Sequence, residues 1–362
     1  MGLKSNVAKR TILLRVNREE PEIEKIRLAA SIIRDGGTVA FPTETVYGLG
    51  ADALNPEAVK KIFKAKMRPP DNPVIVHVSS KDEVEMLVED FPKNALKLME
   101  AFWPGPLTLI FKASRRVPKV TTAGLDTVAI RMPSHKVALA LIRESGTPIA
   151  APSANLSGRP SPTTAEHVLK DLDGRIDLIL DAGPTEVGVE STVLNLTVDP
   201  PQVLRPGGTP YERLVEVLGE VRLHPSVTAK REVDIERPHS PGMKYRHYAP
   251  SADVVLVEGS SLDSIVRKVR EVASTHAEKG RKVGILATEE TISLYDSETY
   301  IIKSFGSRGE PSSLAKNLFR ALRELDDSGV DVIVAEGVSM EGLGLAVMNR
   351  LRKASGYNIV KA

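Results

Sequence analysis

The sequence predicts an α/β protein of two domains. Strand and helix patterns alternate along most of the chain, and 362 residues suffice for two separately cored units. The periodicity lapses once, across a proline-bearing polar stretch from about residue 220 to 250. The expected division is therefore residues 1–219, a linker at 220–250, and a smaller unit at 251–362.

In the first unit, Ile23, Ile26, Ala29, Ala30 and Ile33 recur at helical spacing behind Pro21, and Gly36-Gly37 ends that helix. Residues 38–41 read as a short buried strand running into FPTETVYGLGAD, a hydroxyl- and glycine-rich loop of the kind where ligands dock. Asn55-Pro56 supplies an N-cap and a first-turn proline for a helix whose inner face is Val59, Ile62 and Phe63. That helix delivers Lys64, Lys66 and Arg68 to a loop stiffened by Pro69, Pro70 and Pro73, and residues 74–78 follow as an apolar strand interrupted by His77. A basic helix exit beside a rigid loop suits a polyanionic ligand.

Further on, Ser80-x-x-Glu83 is a capping box for a helix through Val88, and a second helix over 94–103 stops at WPGPLTLIF, which launches a strand. Strands at 127–131 and 148–151 flank a helix at 135–143 and end in polar residues, Arg131 and the APSAN loop. A Thr163-x-x-Glu166 capping box opens the next helix. Strands at 176–180 and from VGVESTVLNL follow, then Arg205-Pro206-Gly207-Gly208 and a last helix capped by Thr209-Pro210. Within the linker, SPGMKYRHYAP crowds two tyrosines with basic residues and His247, which favours docking over spacing. The second unit reads as a small doubly wound domain: strands at 253–257, 282–288, 300–303 and 330–337, with helices at 264–276, 312–325 and 345–354.

Composition narrows the chemistry. Lysines and arginines number 49 against 47 acids, so at a net charge of +2 any basic site is local. With no cysteine, disulfides, Cys-ligated zinc, iron–sulfur clusters and thiol nucleophiles are excluded. MGLKSNVAKR has no apolar leader core and no window approaches a membrane span, so a soluble cytoplasmic protein is expected. Gly183 and Gly188 have the spacing of a phosphate loop, but Val189-Glu190 stands where Lys-Ser/Thr is required. Gly342-Leu343-Gly344 lacks the third glycine of a dinucleotide fingerprint, because Val347 occupies it. APSAN around Ser153 is not a nucleophile elbow, and the seven histidines form no paired-ligand motif, so no protein-ligated metal is expected.

What remains is a set of cations, Lys66, Arg68, Arg131 and Arg205, at loop or strand ends, with hydroxyls at Thr45, Ser153 and Ser191. Phosphoryl and nucleotidyl transfer need that inventory: cations neutralise the phosphates and leaving pyrophosphate, hydroxyls orient the nucleophile, and catalysis is largely positional. His77 reads either as a hydrogen-bonded core residue or as a ligand contact. Neighbouring arginines favour its neutral form.

These segments, FPTETVYGLGAD, KMRPPDNPVIVHV, FWPGPLTLI, VAIRMP, PIAAPSANLSG, GVESTVLN and LRPGG, resemble in order the motifs of the YrdC family of L-threonylcarbamoyl-AMP synthases. With SPGMKYRHYAP and the second unit, the chain resembles that family's longer, two-domain branch. The resemblance implies an open twisted YrdC-like sheet followed by a Rossmann-like α/β domain. It implies that L-threonine, bicarbonate and ATP yield threonylcarbamoyl-AMP and pyrophosphate, the first step of threonylcarbamoyladenosine formation in tRNA, with a separate transferase completing it. Carried over by motif, Thr45, His77, Arg131, Ala151 and Ser191 surround threonine, with the planar fork of Arg131 facing its carboxylate. Arg68, Asn72, Thr127, Ser153, Ser161 and Arg205 hold ATP, with Tyr245 or Tyr248 capping the nucleotide as part of a lid. Lys66 and Arg68 are the expected catalytic cations, and Mg²⁺ accompanies the triphosphate. The competing readings are a non-catalytic module for double-stranded RNA, supported by the lysines at 60–66, and an ATP-dependent carbamoyl transfer to another acceptor. Direct contact with tRNA is a further, weaker expectation.

Overall fold

The computed structural model describes residues 10–231, 233 and 248–362. Sixteen described strands fall into two sheets. The first sheet contains β1 (Ile12–Arg15), β2 (Val39–Pro42), β3 (Tyr47–Asp52), β4 (Ile75–His77), β5 (Leu107–Lys112), β6 (Thr127–Arg131), β7 (Ile149–Ala150), β8 (Leu178–Asp181), β9 (Thr192–Asn195), β10 (Gln202–Arg205) and β11 (Arg222–Leu223). Their order is β1-β8-β2-β3-β7-β4-β6-β5-β9-β10-β11, with parallel and antiparallel pairs mixed. The second holds β12 (Asp253–Glu258), β13 (Val283–Ala287), β14 (Ile301–Ser304), β15 (Val332–Glu336) and β16 (Ile359–Lys361), all parallel in the order β14-β13-β15-β12-β16. This is the expected α/β architecture, a large mixed sheet and a smaller doubly wound one.

Local chemistry sets the elements that matter. Asn55 accepts from the backbone N–H groups of Glu57 and Ala58, and Pro56 begins the helix Pro56–Lys66. That helix buries Val59, Ile62 and Phe63 and ends at Met67, whose left-handed backbone (φ 52°) turns the chain toward Arg68. FPTETVYGLGAD is a hairpin where a loop was expected: β2 pairs antiparallel with β3, leaving 43–46 as the turn. Tyr47, Leu49 and Ala51 enter one core, while Gly48 and Gly50 lie against Phe41 on the other face. A Cβ on Gly50 would stand 2.7 Å from both Ile149 and Phe41, so glycine here marks close packing within a strand.

Other boundaries move by a residue or a partner. Ser80 accepts from Glu83 N–H, but the Glu83 carboxylate reaches Ser79 instead of closing the box on Ser80. The cap of the helix Ala165–Leu172 is Thr164, accepting from His167 N–H, because Thr163 faces the His167 ring. Residues 222–228, inside the stretch read as a linker, form β11 and the helix Pro225–Thr228, extending the first sheet alongside β10. The edge strands β1 and β16 escaped the pattern reading.

Each face of the larger sheet has its own core. One joins Val59, Ile62, Val76, Leu98, Leu109 and Ile130; the other packs the helices Ile23–Arg34 and Lys136–Ser145 on Val39, Phe41 and Leu178. The smaller sheet is covered by the helix Leu262–Ala277 on one face and by Pro311–Asp327 and Gly344–Ala354 on the other. Val46, Val189 and Tyr248 belong to that last core, so the second unit packs directly against the hairpin turn and the start of β9.

Candidate active site

Where the hairpin turn, the ends of β4 and β6, the APSAN loop and the starts of β9 and the 205–208 turn converge, they line an open cavity of about 640 Å³, a volume that includes solvent at its mouth. Thr45, Arg68, His77, Arg131, Ala151, Ser153, Ser161, Ser191, Arg205 and Tyr248 line it, together with Glu190 and Arg159. Tyr245 lies outside the described residues, as does most of SPGMKYRHYAP.

At one end sits a buried ion pair. Arg131 Nη2 stands 2.6 Å from Glu44 Oε1, its Nη1 donates to Thr45 Oγ1 (2.9 Å) and its Nε to the Gly105 carbonyl (3.2 Å). The fork expected to face a carboxylate ligand is thus occupied by Glu44 and Thr45, and Arg131 instead orients the Thr45 hydroxyl. His77 lines the same wall, edge-on to Phe41 and with no hydrogen-bond partner on its buried Nδ1. Burial, reinforced by the Arg131 charge, pushes its imidazole down to about 3, so it is neutral in ordinary buffers.

Lys66 departs from expectation. Its ammonium is buried and donates to the Ser153 carbonyl (2.5 Å), the Asn155 carbonyl (2.6 Å) and Asn155 Oδ1 (3.5 Å). Three acceptors saturate three donors. Lys66 is absent from the cavity wall and staples the APSAN loop to the helix end. Burial and the neighbouring Arg68 both push its pKa well below that of an ordinary lysine. Arg68, half-buried, does line the cavity; its Nη2 donates to the Asn72 and Pro73 carbonyls (2.9 and 3.1 Å).

The other end is an interlocked set of charges. Arg205 grips the Ser191 carbonyl through Nε and Nη2 (3.1 and 3.0 Å), and its Nη2 also donates to Ser191 Oγ, which meets Thr108 Oγ1 at 2.7 Å. Glu190 accepts from the Ser161 hydroxyl and, through Oε2, from Arg350 Nε at 2.8 Å. Burial raises the Glu190 carboxyl, but Arg350 and Arg205 outweigh it and hold the group ionised. Arg350 belongs to the second unit. It lies over the Tyr248 ring at 5.1 Å, and Tyr248 stacks on Phe319, which fixes the one described lid tyrosine against the cavity.

Two predicted residues stand apart. Thr127, at the opposite end of β6 from Arg131, borders a separate hollow with Lys112, Asn195 and His224. Asn72 is buried behind the Arg68 loop, and neither its side-chain oxygen nor its nitrogen has a partner. Sequence reasoning left out Glu44, Glu190, Arg159 and Arg350. The two glutamates stand in quoted motifs beside Thr45 and Ser191, where a charge able to pair with a predicted arginine was the available signal. Arg350 gave none, being 160 positions from its partner.

Cations and hydroxyls on neighbouring loops, around one open cavity, fit an α/β enzyme of the nucleotidyl-transfer type. Comparison with known proteins gives the rest. The family model described as "Telomere recombination" (Sua5, YciO and YrdC) matches residues 31–207, and that of the "Threonylcarbamoyl-AMP synthase, C-terminal domain" matches residues 210–356. The threonylcarbamoyl-AMP synthase of Pyrococcus abyssi is 54% identical over 97% of this chain and 99% of its own length, and that of Bacillus subtilis 50% identical over 93% and 94%. The crystal structure of P. abyssi Sua5 complexed with L-threonine superposes with a TM-score of 0.92 at 53% identity, covering 97% of this chain and all of that one. The chain belongs to the threonylcarbamoyl-AMP synthase family, in its two-domain form. A catalytic reading is thereby favoured over the duplex-RNA module.

Proposed function

We propose that this chain joins L-threonine, bicarbonate and ATP into threonylcarbamoyl-AMP and pyrophosphate. The observation that carries the reading is the one cavity lined both by the residues expected around threonine and by most of those expected around ATP. In this reaction the threonine amine and bicarbonate give the N-carboxylate with loss of water. A carbamate oxygen then attacks the α-phosphorus, and the bond to the β-phosphate breaks to release pyrophosphate.

The geometry suggests distinct roles. Thr45, oriented by Arg131, and neutral His77 form the threonine end; a neutral imidazole accepts from an N–H without carrying a charge of its own. Ala151 lies with them on the cavity lining, and Ser191, held by Arg205, stands where the threonine and nucleotide parts of the cavity meet. Arg68 and Arg205 face the triphosphate, Ser153 and Ser161 orient it, and Tyr248 covers it. Asn72, a buried amide with no partner, fits a nucleotide contact, since leaving such a group unsatisfied is costly. Thr127 belongs to the nucleotide set only if ATP extends along β6. Lys66 acts as a positioning residue. Magnesium would accompany the triphosphate of ATP, whose oxygens are its natural ligands.

In the same reading residues 1–219 carry the chemistry, with 222–228 extending their sheet, Tyr248 covers it and 251–362 brace it. The product then passes to a separate transferase acting on tRNA. No helix among the described residues is long and apolar enough to cross a membrane, and a cytoplasmic site of action completes the proposal. The test is pyrophosphate release from ATP and bicarbonate, with and without L-threonine, in the intact chain and in Arg68→Ala. Threonine-dependent release that the variant loses supports the reading; release indifferent to threonine overturns it.

A further inference from the structure

Arg159 lines the cavity and no sequence motif announced it. Its Nη1 donates to Asp171 Oδ1 at 2.9 Å, and the same carboxylate accepts from Arg323 through both oxygens, at 3.3 Å from Nη1 and 2.8 Å from Nη2. Asp171 is fully buried and Arg323 nearly so, whereas the Arg159 side chain is 39% exposed. Two guanidiniums thus share one carboxylate, and the surplus positive charge emerges at the only open member. The backbone beneath is fixed on both sides: Asn155 Nδ2 donates to the Arg159 carbonyl, and Arg323 Nη2 to that of Pro160. The side chain keeps one bond and an open edge, as an arm that meets an anion requires.

We propose that Arg159 contacts the polyphosphate of ATP and of the leaving pyrophosphate, and that Arg323 of the second unit is its positioning residue, acting through Asp171. The inference rests on the synthase reading for the identity of the reaction, and on the shared carboxylate for its mechanism. With Arg323 present, Asp171 has its charge matched from behind and holds Arg159 by a single bond. Without it, the buried carboxylate turns wholly to Arg159, cancels its charge and draws it from the cavity.

Titration of the full-length chain with MgATP, in the absence of threonine and bicarbonate, isolates the binding step. Arg159→Ala is expected to weaken MgATP and magnesium pyrophosphate by about 10- to 100-fold, leaving threonine affinity unchanged, with Arg159→Lys recovering part of the loss. Arg323→Met is expected to weaken both by roughly tenfold, and Arg323→Met with Asp171→Asn to restore them, because the amide no longer sequesters Arg159. Arg159→Ala binding MgATP as the parent does would overturn the contact. A double variant that melts as the parent does but binds no better than Arg323→Met would overturn the positioning role. Threonine-independent pyrophosphate release by the parent would sink the synthase reading alone, since MgATP affinity still judges Arg159.

Discussion

Lys66 and Arg68 stand two residues apart and do different work, which variants separate. Lys66→Ala strips three acceptors of their donor in a buried site, and each buried group left unsatisfied costs about 1–3 kcal/mol. Its melting temperature and its activity are expected to fall together. Arg68→Ala, at a half-exposed side chain on the cavity wall, is expected to lose activity with a melting temperature close to the parent's. His77 supplies a pH signature. Its folded pKa is depressed to about 3 from 6.5, so below pH 6.5 the unfolded chain binds a proton that the folded chain refuses. Stability is therefore expected to fall as pH drops from about 6.5 toward 3, and a His77→Asn variant to show a shallower loss in urea midpoints measured across that range. Activity is expected to show no inflection from His77 near 6.5. Motif and charge type in the sequence put most of these residues at the site. The sequence was silent on which cations were already spent, because Lys66 finds its acceptors 87 to 89 positions away and the Arg131 fork meets Thr45 86 positions away.

At the scale of elements, a glycine-rich stretch that reads as a loop is a closely packed strand. The cap and proline of the helix Pro56–Lys66 were legible because Asn55-Pro56 acts within one turn. The hairpin β2–β3 was not, since alternating Gly48 and Gly50 erase the apolar periodicity on the face where Phe41 and Ile149 press closest. Gly50→Ala is expected to cost about 1–3 kcal/mol through overpacking, read as a lowered unfolding midpoint. Gly188 is tighter: it takes φ +78°, and a Cβ would meet Lys316 Cα and its carbonyl oxygen at 2.4 Å. Gly188→Ala is expected to cost about 3 kcal/mol or more and to lower activity, because Gly188 N–H also donates to the Thr45 carbonyl. β1 escaped the reading for a related reason: its pairing with β8 joins residues some 166 positions apart.

The second unit braces the candidate site from behind. Arg350 pairs with Glu190 and lies over the Tyr248 ring, and Arg323 pairs with Asp171, so charges of the larger unit are balanced by helices of the smaller one. Removing one partner of a buried pair leaves an uncompensated charge, and Arg350→Met is expected to destabilise by about 3–5 kcal/mol. Replacing both partners, Arg350→Met with Glu190→Gln, is expected to recover much of that stability in thermal melts, but not activity. The two-domain division and the doubly wound second sheet could be read from periodicity. Their mutual bracing could not, being made by single side chains at sequence distances of 152 to 160.

The central claim is that threonine, bicarbonate and ATP react in this one cavity. Incubating the intact chain with ¹³C-bicarbonate, L-threonine and MgATP, and resolving the nucleotide products by mass spectrometry, tests it most directly. The account predicts a threonylcarbamoyl adenylate carrying one heavy carbon, formed in step with pyrophosphate and absent when threonine is withheld. A well-folded protein that yields only ADP or AMP, or an adenylate without the label, would contradict it.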